Sequence, residues 1–225
     1  MKELTKKVLL MVTMFAILIA LTGCANVNME VSIQADGSAD ISYVMGYDKS
    51  FLESMGVSIE DLATDDSFEE AMQGAEEAGY LVEAYEDDAT YGFKASKHVA
   101  NVAEFSMDDA AGTDTEIATN DGIRYEKSFL KTSISQESSM DLSAMMDTGN
   151  TSDAQMANMI IGQMNVTYKV KLPFAVGENN ATTVSEDGRT LEWTLKAGSN
   201  NEIKFVAVQD YTTYVLIGAI TLIVV

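Results

Sequence analysis

The chain contains one cysteine, Cys24, and the residues before it favour a defined covalent chemistry. Early lysines and the apolar run 8–21 precede it, as in a secretory signal peptide with a small-residue cleavage site. A thiolate is a strong soft nucleophile and can accept a lipid on its sulfur. We therefore predict a signal peptide over residues 1–23 and lipidation of Cys24, with an unmodified cysteine as the alternative. The residues that resemble a bacterial lipobox are Leu21, Thr22 and Gly23.

Other residues suited to catalysis are few. His98 is the only histidine, so a zinc site lacks a second imidazole, and we expect this side chain in a surface loop. No Gly-x-Ser-x-Gly sequence is present. The pair Asp108 and Asp109 is no evidence for glycoside hydrolysis, because adjacent side chains usually point apart. We predict no catalytic residue, no metal ligand and no cofactor. The protein is expected not to be an enzyme, with a carboxylate hydrolase as a minor alternative.

Acidic residues dominate the charge of the chain. Thirteen of them, and no lysine or arginine, lie between residues 50 and 93, and the formal net charge is −21. This balance argues against a nucleic-acid partner, since phosphates need a basic surface. We predict a solvated acidic face, with a calcium site as the alternative. Repulsion over a Debye length of about 8 Å would turn this face away from an anionic membrane and bring the lysine-bearing half closer.

Residues 211–225 form an uncharged apolar run with two tyrosines in its first four positions. Tyrosines are common where a membrane-spanning segment meets water. Fifteen helical residues cover about 22 Å, against about 30 Å of hydrocarbon. We predict a truncated transmembrane helix that, with the N-terminal lipid, holds the domain at the extracytoplasmic face of a bacterial cell membrane. A buried β-strand is the alternative, because Val, Ile and Thr also suit strands.

Residues 24–210 are predicted to form the extracytoplasmic domain, and its first half contains two hairpins and several helices. Alternating segments on both sides of residues 35–38 predict one hairpin, and residues 80–85 and 90–95 predict another. Between them, short helices are expected in residues 48–62. A longer helix is expected to start at a Ser67 capping box and to end at Gly79.

The second half is predicted to contain more strands than helices. We expect one long strand over residues 123–135, bent near Lys127-Ser128, and a polar loop over 139–152. A short amphipathic helix is expected over residues 154–164. Further strands are predicted at 165–172, 181–184, 190–195 and 202–208. The predicted fold class is α+β, a mostly antiparallel sheet of hairpins with a few short helices between the N-terminal signal and the C-terminal segment.

Several turn motifs resemble the LppM-domain lipoproteins and occur in that family's order. They are Asp36-Gly37-Ser38, Ala78-Gly79-Tyr80, Tyr91-Gly92-Phe93, Leu172-Pro173-Phe174, Asn179-Asn180-Ala181-Thr182 and the segment from Asp187 to Trp193. The resemblance covers nearly the whole chain and implies an exported α+β surface lipoprotein, often with a terminal transmembrane helix. It implies location and fold more than activity. From the residues alone, Trp193 is expected to anchor the core.

Fourteen methionines are present, six of them between Met140 and Met164. Methionine adapts to irregular apolar partners, so this segment could line a groove for a lipid, a glycolipid or a peptide, although a core role is the stronger alternative. The predicted function is a non-catalytic, membrane-anchored binding module for an amphiphilic envelope molecule. The alternative is a structural or assembly factor that contacts another envelope protein. The groove candidates are Met156, Met159, Ile160 and Met164.

Overall fold

A computed structural model describes residues 25–64, 66–105, 118–119, 122–142 and 164–213. Within these ranges the chain forms twelve strands in two sheets, three α-helices and one 3₁₀ turn. The strands are β1 (Ala25–Ile33), β2 (Ala39–Asp48), β3 (Leu81–Glu86), β4 (Thr90–Val99), β5 (Ala118–Thr119), β6 (Arg124–Lys127), β7 (Lys131–Asp141), β8 (Asn165–Lys171), β9 (Val176–Asn179), β10 (Thr183–Val184), β11 (Thr190–Leu195) and β12 (Asn200–Asp210). The helices are α1 (Lys49–Met55), α2 (Ile59–Ala63) and α3 (Asp66–Glu77), and the 3₁₀ turn is Val102–Glu104.

The larger sheet has seven strands in the order β10-β11-β8-β1-β2-β4-β3. Its neighbours pair antiparallel except for β1 and β8, which are parallel. The smaller sheet has the order β5-β7-β12-β9, and β6 also pairs with β7. This mostly antiparallel arrangement with few helices confirms the predicted α+β class.

The predicted Asp-Gly turns are confirmed at both ends of the domain sequence. In the β1–β2 turn, the Ser38 backbone N and side-chain Oγ both donate to Asp36 Oδ1, at 3.1 Å and 2.7 Å. These bonds hold the pKa of the Asp36 carboxyl below its usual value. Before β11, Ser185 and the Arg189 backbone N donate to Asp187 in the same way and lower its pKa. Each turn is therefore fixed by a short polar side chain.

The seven-stranded sheet buries one face only. Along β1, β8 and β11 the side chains on this face are buried. The smaller sheet covers them, with Phe205 of β12 packed 6.0 Å from the Trp193 ring. The helices lie over β2, β4 and β3 on the same face, where α3 contacts both β3 and β4. The other face is polar and faces solvent.

Helix α3 packs on the sheet through Phe68, which is buried, while Met72, Ala75 and Ala78 are partly buried. It begins at Asp66, one residue before the predicted Ser67 cap, which therefore lies inside the helix. Its predicted end at Gly79 is confirmed. Gly79 adopts φ 83°, and the Tyr80 backbone N donates to the Ala75 carbonyl at 3.0 Å.

The single bent strand predicted over residues 123–135 is wrong. The chain reverses at Ser128 to Leu130 and forms the hairpin β6–β7. The Ser128 backbone N donates to the Lys131 carbonyl at 2.8 Å, and the Lys131 backbone N donates to Ser128 Oγ at 3.1 Å. The serine hydroxyl thus closes a turn that has no glycine, proline or asparagine. Strand β7 then extends to Asp141, into the region predicted as loop.

Gly92 lies directly opposite Gly46 in the β2–β4 pair. A Cβ atom at Gly92 would come within 1.9 Å of the Met45 carbonyl oxygen, which is backbone and cannot rotate away. By contrast, a Cβ at Gly74 of α3 meets nothing within 4 Å. The β2–β4 contact therefore needs glycine, and the α3 position does not.

We expect Gly92→Ala to lower the free energy of unfolding by about 3 kcal/mol, because the strands must separate to admit the methyl group. Gly74→Ala is the matched control and should raise it by about 0.5–1 kcal/mol through helix propensity. Urea unfolding of the two variants measures both values. Equal stabilities would show that the close approach of the strands is not a real constraint.

Candidate functional site

Most of the residues singled out from the sequence lie outside the described ranges. These include Cys24 with Leu21, Thr22 and Gly23, and the groove candidates Met156, Met159 and Ile160. Their roles stay predictions. Met164 is described; it is partly buried and packs against the core, which agrees with the core alternative for that residue.

The C-terminal apolar run is described only as far as residue 213. Among the described residues, no helix has the length and apolar character needed to cross a membrane. The predicted transmembrane helix over 211–225 thus falls almost wholly outside the described residues and stays a prediction.

His98 lies in strand β4 rather than in the predicted loop. Its Nδ1 atom is 2.7 Å from Asp40 Oδ1 on the neighbouring strand β2, and both side chains are exposed. Within the ranges that the structure describes, no three potential metal-ligating side chains of His, Cys, Asp or Glu come together. The imidazole is therefore one half of a surface polar pair on the outer face of the sheet.

Lysines on this outer face pair with the sheet's own glutamates. Lys171 Nζ is 2.6 Å from Glu30 Oε1, and Lys169 Nζ is 3.1 Å from Glu192 Oε2. Exposed pairs of this kind add little stability. They do keep the outer face close to neutral, while the acidic residues of α2 and α3 lie exposed on the opposite side.

Between the two sheets the core is closely packed and includes polar groups that are satisfied. Trp193 is buried beside Tyr168, as predicted for a core anchor, with ring centroids 5.6 Å apart. Its Nε1 donates to Asn180 Oδ1 at 2.8 Å, and Tyr168 OH donates to Gln136 Oε1 at 3.0 Å. Every buried side-chain nitrogen or oxygen of the described part has a partner. This half of the domain is a stable frame.

Beneath the helices, the same face of the sheet is less completely covered. Met45 and Tyr47 of β2 and Tyr91 of β4 are only partly buried, although they alternate toward the core. Among the described side chains of α3, Phe68 is the one that is buried, and its ring lies 5.7 Å from Phe93 and 6.2 Å from Tyr91. In the half of the domain that the helices cover, part of the apolar surface of the sheet therefore stays exposed to solvent.

An open cleft of about 390 Å³ lies between α3 and the edge strand β3, and we call it the α3–β3 cleft. Its apolar lining comes from Met72, Val82 and Ala84. The polar lining is acidic or amide in character and consists of Glu69, Gln73, Glu76 and Glu83. A cleft with an apolar floor and hydrogen-bond acceptors at its rim can hold a molecule that is apolar at one end and a hydrogen-bond donor at the other.

Two lysines of β4 lie near this cleft on opposite faces of the sheet. Lys94 Nζ is 3.4 Å from Glu83 Oε1 on the outer face, where it pairs with that carboxylate. Lys97 Nζ donates to the Ala78 carbonyl at 2.8 Å, at the end of α3, and lies 5.2 Å from the Tyr80 ring centroid. A cation at the C-terminal end of a helix is favourable, so Lys97 holds α3 against the sheet.

The methionine pattern predicts a groove in residues 140–164 and does not reveal the α3–β3 cleft. The cleft lies between two consecutive elements, and turn residues and periodicity do not show how the side chains of α3 and β3 pack. The sequence nevertheless contains a pattern that indicates an aromatic surface here. Tyr43 and Tyr47 alternate along β2, and Tyr47 is the register partner of Tyr91 in β4. Pairing the two predicted hairpins side by side would therefore have placed these tyrosines on one face of the sheet.

The fold and the cleft define a class of protein: a two-sheet α+β domain with one apolar sheet face, covered partly by a second sheet and partly by acidic helices. Residues 26–209 match the family model of the LppM domain, and the chain therefore belongs to the LppM domain family. No curated protein matches the chain.

A solved structure supports the same fold. The NMR structure of the folded domain of the Mycobacterium tuberculosis LppM protein matches with a TM-score of 0.50 and 15% sequence identity. The match covers 84% of this chain and 92% of that one. At this identity the likeness concerns the fold, and the residues of the cleft have to be argued from this chain alone.

Burial raises the pKa of Tyr43 to about 12, and the neighbouring Tyr47 adds to the shift. A raised pKa means that folding stabilises the neutral phenol. Its contribution to stability is complete below the ordinary tyrosine pKa of 10.0 and is lost as the pH rises toward 12.

We expect the unfolding free energy of the protein to fall between about pH 10 and pH 12, and Tyr43→Phe to remove part of this fall. The phenylalanine keeps the packing against Phe93, whose ring centroid is 6.1 Å away, and lacks the titrating hydroxyl. Urea unfolding across this pH range provides the measurement, with the exposed Tyr211→Phe as control. Identical pH slopes for wild type and Tyr43→Phe would contradict the burial of this phenol.

Proposed function

We propose that this chain is a membrane-anchored lipoprotein of the bacterial cell envelope whose domain binds an amphiphilic envelope molecule without catalysis. The binding site is the α3–β3 cleft together with the partly covered sheet face beneath α3. The single observation that carries the proposal is the incomplete burial of aligned apolar side chains on this half of the sheet, next to a cleft that opens at its edge.

The apolar part of the ligand would lie on Met72 and Val82 and reach toward the tyrosines of β2. Partly buried apolar side chains gain about 25 cal/mol for each Å² removed from water, so an acyl chain in this position is favourable. Methionine is adaptable in shape and suits a chain of variable structure. Family membership agrees with an anchored lipoprotein, while the ligand is argued from the cleft itself.

The headgroup would meet the carboxylates of Glu69 and Glu76 on α3 at the rim. Ionised carboxylates only accept hydrogen bonds, and they repel phosphate or another anionic group. Sugar hydroxyls are donors and carry no charge. The rim therefore favours a neutral glycolipid over an anionic phospholipid.

The anchoring follows from the start of the domain. β1 begins at Ala25, directly after the lipidation candidate Cys24, so a lipid on that cysteine would hold the domain against the membrane with no linker.

A non-catalytic role fits the chemistry of the described titratable groups. The aspartates with lowered pKa values accept hydrogen bonds inside their own turns, as Asp87 does from Tyr85 and from the backbone of Ala89 and Thr90. Their altered pKa values thus have structural causes, whereas an acid or base in catalysis is usually tuned toward the working pH.

Native mass spectrometry of the full chain, purified from bacterial membranes in mild detergent and incubated with a neutral diacylglycerol glycolipid, tests the proposal. We expect a bound lipid mass in the wild type and a loss of at least tenfold in occupancy for Met72→Asp. Val184→Asp, which changes an exposed residue of β10 at the far edge of the sheet, is the matched control and should bind like the wild type. Circular dichroism confirms that each variant is folded.

The double variant Met156→Asp with Ile160→Asp separates the two candidate grooves. Binding that survives in this variant and fails in Met72→Asp assigns the ligand to the α3–β3 cleft. The reverse result assigns it to the methionine-rich segment. A bare protein mass for the wild type, before and after incubation with the lipid, contradicts the binding proposal as a whole.

An exposed strand edge favours a second candidate function, that of a structural or assembly factor. Strand β3 ends the larger sheet, and Leu81 at its start is 70% exposed. A strand of another envelope protein could add to this edge. A photoreactive amino acid at Leu81 would then give one discrete protein adduct in cells, and the absence of any adduct would count against this function.

A further inference from the structure

The turn between β6 and β7 presents two large apolar side chains to solvent. Phe129 is 85% exposed and Leu130 is 36% exposed. Seven large apolar residues of the described ranges are exposed to this degree or more, and three of them, Phe129, Leu130 and Tyr211, belong to this turn or adjoin it. A phenylalanine exposed in this way lacks the stabilisation of about 1.5–3 kcal/mol that burial of its side chain would give. A binding partner that covers Phe129 would provide this stabilisation.

The turn is held in place by the fold. Ser128 closes it through its backbone N and its hydroxyl, as described above. At the other end of β6, Tyr125 OH donates to the Ala35 carbonyl in the β1–β2 turn at 2.9 Å. The apolar pair is therefore displayed at a fixed position at one end of the two sheets, beside the β1–β2 turn.

The same end of the domain leads into an uncharged apolar segment of the sequence. The Tyr211 backbone N donates to the Leu130 carbonyl at 2.8 Å, and Asp210 is the register partner of Lys131. Residues 211–225 contain no charged side chain. The turn that carries Phe129 and Leu130 therefore lies beside Tyr211, where the uncharged apolar segment 211–225 begins.

The charges around the turn differ from those of the rest of the protein. Lys127 and Lys131 flank the sequence Ser128-Phe129-Leu130, whereas the chain as a whole has a net charge of −21. Nearby acids balance them in part: hydrogen bonds from Ser38 and Thr212 are the main cause of the lowered pKa values of Asp36 and Asp210, and the charges of Lys127 and Lys131 add a smaller contribution. Lysines beside an apolar tip can reach lipid headgroups while the tip enters the acyl boundary.

We propose that the 127–131 turn is a membrane-interface contact, with Phe129 and Leu130 inserted at the headgroup–acyl boundary of the bilayer. The adjoining apolar segment and the flanking lysines favour a bilayer as the occupant over a pocket of another protein. The contact needs no ligand in the α3–β3 cleft and goes beyond the proposed function.

This contact also has a consequence for orientation. Ala25 lies at the opposite end of β1 from the β1–β2 turn, about 26 Å away along the strand at 3.3 Å for each residue. A lipid on Cys24 and the 127–131 turn would therefore hold opposite ends of the sheets. With both engaged, the strands run along the membrane surface instead of standing on it.

The experiment places an environment-sensitive fluorescent amino acid at position 129, or at position 81 as control, in the full chain reconstituted in phosphatidylethanolamine–phosphatidylglycerol vesicles. Leu81 is also an exposed apolar residue but lies on the edge strand β3. We expect blue-shifted emission at 129, at least threefold stronger quenching there by headgroup-proximal spin-labelled lipid than at 81, and at least threefold weaker quenching by aqueous iodide. Lys127→Gln with Lys131→Gln should reduce the lipid quenching at 129.

Each other outcome overturns the contact. Emission and quenching at 129 that equal those at 81 show that the turn stays in water. Blue-shifted emission without lipid quenching shows that a protein surface covers it. Because no glycolipid is added, the result is independent of whether the α3–β3 cleft binds one.

Discussion

The larger sheet has a single apolar face seven strands wide, and the rest of the domain is arranged to cover it. The parallel pairing of β1 with β8 puts Val27, Met29 and Val31 beside Val166, Tyr168 and Val170 on that face. The smaller sheet covers this part, and Asn180 joins the two layers because its side-chain oxygen accepts from both Trp193 Nε1 and the Lys204 backbone N. The remaining strands lie beyond the reach of the smaller sheet and depend on short helices for cover.

This unequal cover gives the two halves different properties. Side chains between the sheets are buried with their polar groups satisfied, so this half should open only when the whole domain unfolds. Beneath α3 the aromatic side chains of β2 and β4 keep part of their surface near solvent, and the helix has few buried contacts to hold it. Regions of few buried contacts are where proteins move and bind. This difference supports the proposal that the sandwich half is the frame and the helix-covered half binds the ligand.

Local patterns predicted the elements better than their assembly. The β1–β2 and β3–β4 hairpins, the end of α3 at Gly79 and the burial of Trp193 follow from turn residues and periodicity, which act over a few positions. The β6–β7 turn was missed because a serine hydroxyl closes it in place of the usual turn residues. In the β1–β8 pair, Asn26 lies beside Asn165. These residues are far apart in the sequence, so patterns within a short segment cannot predict that they pair. The α3–β3 cleft lies between two consecutive elements, and it depends on how the side chains of α3 pack on the sheet, which the methionine pattern does not describe.

Hydrogen exchange of the full chain in lipid nanodiscs, with and without a neutral diacylglycerol glycolipid, tests most directly whether the helix-covered half is the binding half. We expect slower exchange in α3 and β3, within residues 66–86, when glycolipid is added, and unchanged exchange in β1, β8 and β11. A change confined to the strands of the sandwich half, or no change in α3 and β3 with the lipid bound, would contradict this expectation.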